Sequence, residues 1–309
     1  PNYVVGINDD HVGNSGNVTM AYVKWIESAD ERYRYMTAFK RYIENFTRYA
    51  PGNSYAGIKQ DGSGFHHWTG YPSYTSNLNS VAEIISNLRE TSFQVDSAAY
   101  LRLRDAIMAQ LMFTNDNTTR FLTMGGRKPE EVATTISRFS LRNMGVAGGS
   151  ILGTGTSDPV IATYYNRVWG GYAPFGNSIK ASFNSGYFQF NHSMAGIYRK
   201  DGWLAVCKGF NNNMLGSEIY PDANRFGRYQ SYGALNIIYP GDALTGNGYD
   251  VTTWDWNFTP GATVIKLPWN KLHGEKQRID ELQQKRFVGS LSFINKNGSY
   301  LKSIQGTYG

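Results

Sequence analysis

The sequence predicts an α+β protein of two unlike parts, a helical first half followed by an antiparallel β-sandwich half. Two observations carry that expectation. Apolar residues up to about residue 165 recur at steps of three and four, the spacing of one helical face, whereas from about residue 180 they alternate with a period of two. At 309 residues the chain is long enough to bury a sizeable core and to divide in two. We therefore expect a helical part over residues 1–165, a linker over 166–180 and a sheet part over 181–309.

In the helical part, Tyr35, Phe39, Tyr42, Phe46 and Tyr49 mark a first helix over Asp30 to Tyr49, ended by Pro51-Gly52. Leu78, Val81, Ile85 and Leu88 mark a second. Tyr100, Leu103, Ile107 and Leu111 mark a third, capped by Asp96 or Ser97. A fourth is expected to begin at Pro129, with Glu130 and Glu131 where the helix dipole favours anions, and to close near Gly145. Helices that each hide one face must stack on one another, which gives a bundle or a toroid. The glycine-rich run from Gly145 to Gly155 has no Lys-Ser/Thr to close a phosphate loop and follows a helical pattern, so it reads as a flexible loop or linker.

The β part opens with alternation over Gly186 to His192. Asp201-Gly202 lies between two apolar runs, Met194 to Tyr198 and Trp203 to Cys207, and is a strong hairpin signal. Further strands are expected over Ala234 to Tyr239, Ala262 to Leu267 and Phe287 to Phe293, with another hairpin at Asn297-Gly298. Cys207 falls in a strand as a small buried hydrophobe.

Composition narrows the function classes. Cys207 is the sole cysteine, which excludes internal disulfides and multi-thiolate metal sites. No apolar run of transmembrane length occurs, so no membrane association is expected. Charged residues make up only 17% and aromatics 15%, the texture of an extracytoplasmic carbohydrate-active protein, so we expect a secreted or periplasmic protein whose signal peptide lies outside this chain. The net charge of +6 favours a polyanionic partner. Nucleic acid is disfavoured because no zinc finger, RNP-like strand or basic helix is present.

Three polar stretches can carry chemistry. Residues 61–74, from Asp61 to Tyr74, crowd His66, His67, Trp68, Tyr71 and Tyr74 onto a backbone broken by Gly and Pro. His67 can take a proton near neutral pH, and the Tyr74 phenol can give or take another. An aromatic turn with solvated histidines is the competing reading. Gly216 to Gly233 brings Glu218, Asn224, Arg225 and Arg228 into one connection between strands, with a solvated arginine pair as the competing reading. Gly125-Gly126-Arg127 places an arginine just before a helix start, where a plain connecting loop would also serve.

Taken together, Phe65-His66-His67-Trp68-Thr69-Gly70-Tyr71-Pro72-Ser73-Tyr74, Gly125-Gly126-Arg127, Ser217-Glu218-Ile219-Tyr220, Asn224 to Ser231, and Trp254-Asp255-Trp256-Asn257 with Pro260-Gly261-Ala262-Thr263 resemble polysaccharide lyase family 8, most closely its chondroitin sulfate ABC lyases. The matches run in family order over about residues 60–270. The resemblance implies an (α/α) toroid segment followed by antiparallel sheets, with an acidic polysaccharide, chondroitin or dermatan sulfate and in addition hyaluronan, bound between them. It implies β-elimination at a uronic acid, with His67, Tyr74, Arg127 and Glu218 on the catalytic positions. His67 would be the base for the C5 proton of a glucuronate and Tyr74 the acid for the leaving O4. Arg127 would lower the phenol's pKa and bind the anionic glycan, and Glu218 would orient Arg127 or Tyr74. His66, Trp68, Asn224, Arg225, Arg228 and His11 are the substrate-binding candidates, His11 doubling as a base for iduronate. The resemblance further implies the centre of a longer enzyme, with Pro1 entering the toroid midway and Gly309 stopping midway through the sheets. A monomer is expected. No metal site is assigned, and a divalent cation, calcium or magnesium, is left open as a cofactor.

The competing class is a non-catalytic acidic-glycan-binding protein, in which Trp68, Trp254 and Trp256 would serve as stacking platforms. It would leave His67, Tyr74, Arg127 and Glu218 without a task. A hydrolase would need two carboxylates flanking the bond, and would leave the histidine and tyrosine unexplained.

Overall fold

A computed structural model describes residues 12–52, 54, 56–66, 69–70, 74–115, 136–176, 185–200, 202–209, 233–240, 255, 260–261, 288–294 and 300–307. Helix α1 (Val12–Val23) is followed by α2 (Ala29–Phe46). Short strands β1 (Gly57–Ile58), β2 (Gly64–His66) and β3 (Thr69–Gly70) then precede α3 (Tyr74–Leu88) and α4 (Ser97–Met112). Helices α5 (Arg138–Leu152) and α6 (Pro159–Val168) and a 3-10 turn at Ala173–Phe175 complete the helical half.

Local chemistry sets these boundaries. The Ser28 hydroxyl accepts the Glu31 N–H at the start of α2, and Asp30 and Glu31 occupy the first turn, where the helix dipole favours anions. The Asp96 carboxylate accepts the Ala99 N–H, capping α4 as expected. Leu78, Val81, Ile85 and Leu88 of α3 and Tyr100, Leu103, Ile107 and Leu111 of α4 are all buried in one apolar core. Truncating any of these leucines to Ala costs roughly 2–5 kcal/mol.

Three expectations are corrected. The run from Gly145 to Leu152 is not a loop: it belongs to α5, which closes at Gly153 in the left-handed conformation (φ 67°). The glycines serve close packing. A Cβ on Gly148 would lie 2.1 Å from the Tyr100 hydroxyl and 2.6 Å from the Asp158 Cβ. That absence of side chain lets the Tyr100 hydroxyl reach the Asp158 carboxylate at 2.9 Å. Asp158 in turn caps α6 through the Val160 N–H and meets Arg104 at 3.3 Å. The second correction concerns α2, which ends at Phe46 with Thr47 as its cap and leaves Tyr49 outside, 38% exposed. The expected helix start at Pro129 lies outside the described residues, but no helix runs on from there to close near Gly145: Ser137, in extended conformation, caps α5, which begins at Arg138 and continues to Leu152.

In the second half, β4 (Gly186–Phe190), β5 (Ala195–Lys200), β6 (Trp203–Lys208) and β7 (Ala234–Ile238) form an antiparallel sheet in that order. Lys200 pairs with Trp203, so Asp201 and Gly202 are the two residues linking β5 to β6, where the dipeptide predicts a hairpin. Strands β8 (Val288–Ile294) and β9 (Tyr300–Thr307) form a second antiparallel pair. The expected strand over Ala262 to Leu267 and the Asn297-Gly298 turn lie outside the described residues. Cys207 is half-buried in β6, and burial raises its thiol pKa.

The halves share a second apolar core. Ala109, Met112 and Phe113 at the end of α4 pack with Phe190, Ala195, Ile197, Leu204, Val206 and Ile238 of the sheet. The Phe113 and Phe190 rings lie 4.5 Å apart between centroids. Across this contact the buried Arg199 side chain of β5 donates to the Leu111, Met112 and Thr114 carbonyls at 3.2, 3.1 and 2.9 Å. A cation thus meets the negative end of α4.

Candidate active site

The stretch read as a polar loop is in part a small antiparallel sheet. Strand β1 pairs with β2 through Gly57 with Phe65 and Ile58 with Gly64, and β2 pairs with β3 through Phe65 with Gly70 and His66 with Thr69. The sequence between that last pair is His67-Trp68. Four residues beyond β3, Tyr74 opens α3.

The scaffold under this hairpin is buried and hydrogen-bonded. Phe65 and Ile58 are fully buried. Beside them the buried Lys59 ammonium donates to the Pro51 carbonyl, the Ser54 carbonyl and the Ser54 hydroxyl, each at 2.8 Å, and lies 4.7 Å from the centroid of the Phe65 ring. Burial lowers its pKa to about 8, against an opposing pull from Asp61. The β1–β2 turn is fixed by Asp61, whose carboxylate accepts from the Ser63 N–H at 3.0 Å and from the Ser63 hydroxyl. Gly62 (φ +81°) lets that turn rest on α4, since a Cβ there would lie 2.9 Å from the Asp105 carbonyl oxygen and from the Ala109 Cβ. The same Asp61 carboxylate accepts the His192 N–H of the β4–β5 turn at 2.8 Å, joining the hairpin to the sheet half.

Of the expected site residues, His66 is the last residue of β2 and Tyr74 the first of α3. His67, Trp68, Arg127, Glu218, Asn224, Arg225, Arg228 and His11 lie outside the described residues, as do Trp254 and Trp256. The supporting residues Lys59, Asp61 and Arg199 were not singled out in the sequence. Lys59-Gln60-Asp61-Gly62 carries an ordinary turn signal, but nothing in it announces a buried ammonium. Among the described residues no three His, Cys, Asp or Glu side chains are grouped to hold a metal ion, and no helix is long and apolar enough to cross a membrane.

A helical unit is thus bound through an apolar core and a carboxylate to an antiparallel sheet unit. Residues 10–171 match the family model described as "Lyase, catalytic", and residues 185–305 match that of "Polysaccharide lyase family 8, super-sandwich domain". The chain belongs to polysaccharide lyase family 8. It is 29% identical over 280 residues to the chondroitin sulfate ABC endolyase of Proteus vulgaris, covering 87% of this chain and 26% of that protein. It is 28% identical over 271 residues to the chondroitin sulfate ABC exolyase of the same organism, covering 81% of this chain and 26% of that protein. The chain thus spans about a quarter of the length of these relatives. Its fold is shared with the Streptomyces coelicolor A3 chondroitin AC lyase in complex with chondroitin sulphate (TM-score 0.59, 14% identity, 92% of this chain and 43% of that one).

Proposed function

We propose that the protein carrying this chain is a glycosaminoglycan lyase that cleaves chondroitin and dermatan sulfates, and hyaluronan in addition, by β-elimination at a uronic acid. The observation that supports this best is the setting of the described part of the motif. A short hairpin carries His66, the residue before His67 in sequence, α3 opens at Tyr74, and the Asp61 carboxylate holds the hairpin to the sheet half. The ABC endolyase and exolyase among the relatives support the substrate class.

The chemistry explains the residue types. A C5 proton next to an ionised carboxylate is too weakly acidic to leave unaided, so the site must offset that charge and stabilise the developing enolate. His67 takes the C5 proton of a glucuronate as the C4–O4 bond breaks, and the Tyr74 phenol gives a proton to O4. The product is a 4,5-unsaturated uronate. Arg127 supplies positive charge to the anionic chain and Glu218 orients it. His66, Trp68, Asn224, Arg225, Arg228 and His11 contact the flanking sugars. We place the protein outside the cytoplasm of a bacterium, acting as a monomer.

The test is near-ultraviolet absorbance of the conjugated product when the complete protein is incubated with chondroitin sulfate, dermatan sulfate and hyaluronan in turn. Absorbance rising with all three substrates is the expected result. Tight binding with no absorbance would establish the non-catalytic glycan-binding alternative. Repeating the assay with a chelator, then with calcium or magnesium restored, reads whether a cation assists.

A further inference from the structure

A cleft of about 420 Å³ opens between the end of α2 and the start of α4, lined by Arg41, Glu44, Asn45, Arg48, Asp96 and Arg102. Arg41, Asn45 and Arg48 follow one another at helical spacing and face it together. Its charges are unequally committed. The Glu44 carboxylate accepts the Asp96 N–H at 3.0 Å and lies 3.7 Å from the Lys40 ammonium. The Asp96 carboxylate caps α4 through the Ala99 N–H at 2.6 Å. Arg102 donates through Nε to the Thr47 carbonyl at 3.1 Å and through a terminal nitrogen to the Thr47 hydroxyl at 3.3 Å, which fixes its guanidinium at the cleft wall. Arg41 and Arg48 enter none of the ion pairs among the described residues. The lining thus carries three guanidinium groups against two carboxylates, each carboxylate accepting a main-chain N–H, with two of the guanidinium groups standing open beside a third that is held in place.

We propose that this cleft is an auxiliary oxyanion site, separate from the His66 hairpin and the start of α3, that takes a sulfate group of a glycan chain. Guanidinium groups match the oxygens of sulfate with paired, charge-assisted hydrogen bonds, and a fixed one costs less ordering on binding. The lining has no aromatic face for stacking a sugar ring, so recognition rests on the anion. The position also fits. Gly62, in the β1–β2 turn, packs on Asp105 and Ala109 of α4, and Arg102 lies about one turn earlier, about 5 Å along the helix axis. On the α2 side, Arg48 leads through Tyr49 to Ala50, whose N–H bonds the Ile58 carbonyl of β1 at 2.7 Å. A chain running past the hairpin would be held at a second point on the same rigid module.

That the sulfate comes from a glycan rests on the lyase reading; the preference for an oxyanion does not. The test is calorimetric titration of the complete protein in a Tyr74→Phe background, so that turnover does not consume the probe. The probes are a sulfated chondroitin hexasaccharide, its unsulfated counterpart and sodium sulfate, each with and without the pair Arg41→Ala and Arg48→Ala. These two side chains are exposed and bond to nothing in the fold that circular dichroism would miss, and Arg41→Lys with Arg48→Lys checks charge alone. We expect the alanine pair to weaken the sulfated hexasaccharide by about tenfold or more, with the unsulfated one changed far less and the lysine pair intermediate. Equal affinities with and without the alanine pair would overturn the site. A loss confined to sodium sulfate, with the hexasaccharide indifferent, would overturn the glycan assignment and leave a free-anion site. Product absorbance in the unmodified protein reads the lyase activity independently of either outcome.

Discussion

The Asp61 carboxylate accepts the His192 main-chain N–H at 2.8 Å, so the turn below the His66-His67 hairpin and the first turn of the sheet half share one acceptor. That carboxylate also takes the Ser63 N–H and hydroxyl, which makes it the polar joint between the halves.

Asp61→Ala leaves these donors without their acceptor, and the loss of charged hydrogen bonds should cost about 1–3 kcal/mol. Urea unfolding should show a lower midpoint with unchanged slope, and Asp61→Asn should recover much of the difference. If the hairpin's seat on the sheet matters to catalysis, kcat/KM should fall in Asp61→Ala at urea concentrations where the protein is still folded.

Arg199 is the second joint. Arg199→Met removes the charge at the end of α4 and strands three carbonyls in a dry contact, for a cost of about 3 kcal/mol. Arg199→Lys, which keeps a charge and three N–H donors on a shorter side chain, should lie between. A calorimetric scan splitting into two transitions in Arg199→Met would show that the halves had been uncoupled.

Lys208 sets a pH dependence. Its side chain is fully buried, donating to the Ser193 and Gly209 carbonyls at 2.6 and 3.1 Å, and burial lowers its pKa from 10.5 to about 7. With the folded value below the unfolded one, the unfolded chain holds the extra proton between about pH 7 and 10.5. Stability therefore rises with pH across that window, by at most about 1.4 kcal/mol per unit. The Lys59 ammonium, with a pKa of about 8, adds a term of the same sign. Denaturant unfolding at several pH values should show the slope, reduced in Lys208→Met; an unchanged slope would mean that Lys208 reaches solvent.

Much of the fold was legible because its signals are local. The face Leu78, Val81, Ile85 and Leu88, the Asp96 cap and the Asp201-Gly202 turn each follow from a few neighbouring residues, and each is found where expected. The misreading at Gly145 to Gly155 has the opposite cause. Glycine lowers helix propensity, and what these glycines serve, the close approach of Phe175 to Gly145 and of Tyr100 and Asp158 to Gly148, is set by tertiary packing that no local pattern announces. Lys59, Asp61 and Arg199 escaped for the same reason, since their partners lie across turns or in the other half. For the site, motif chemistry singled out His66 and Tyr74 within one polar loop but did not foresee that His66 lies in a small three-stranded sheet or that Tyr74 opens a helix.

The central claim is most directly tested by the separation of the two proton transfers by substrate epimer. Glucuronate and iduronate present the C5 proton on opposite faces while O4 keeps its orientation, so one acid serves both but one base does not. In the complete protein, Tyr74→Phe should abolish formation of unsaturated product from chondroitin and dermatan sulfates alike, since such groups contribute roughly 10²–10⁴-fold each. His67→Ala should lower the chondroitin rate far more than the dermatan rate. Equal losses on both substrates in His67→Ala, with binding unchanged, would contradict the assignment and make His67 a group that neutralises the carboxylate or orients the chain.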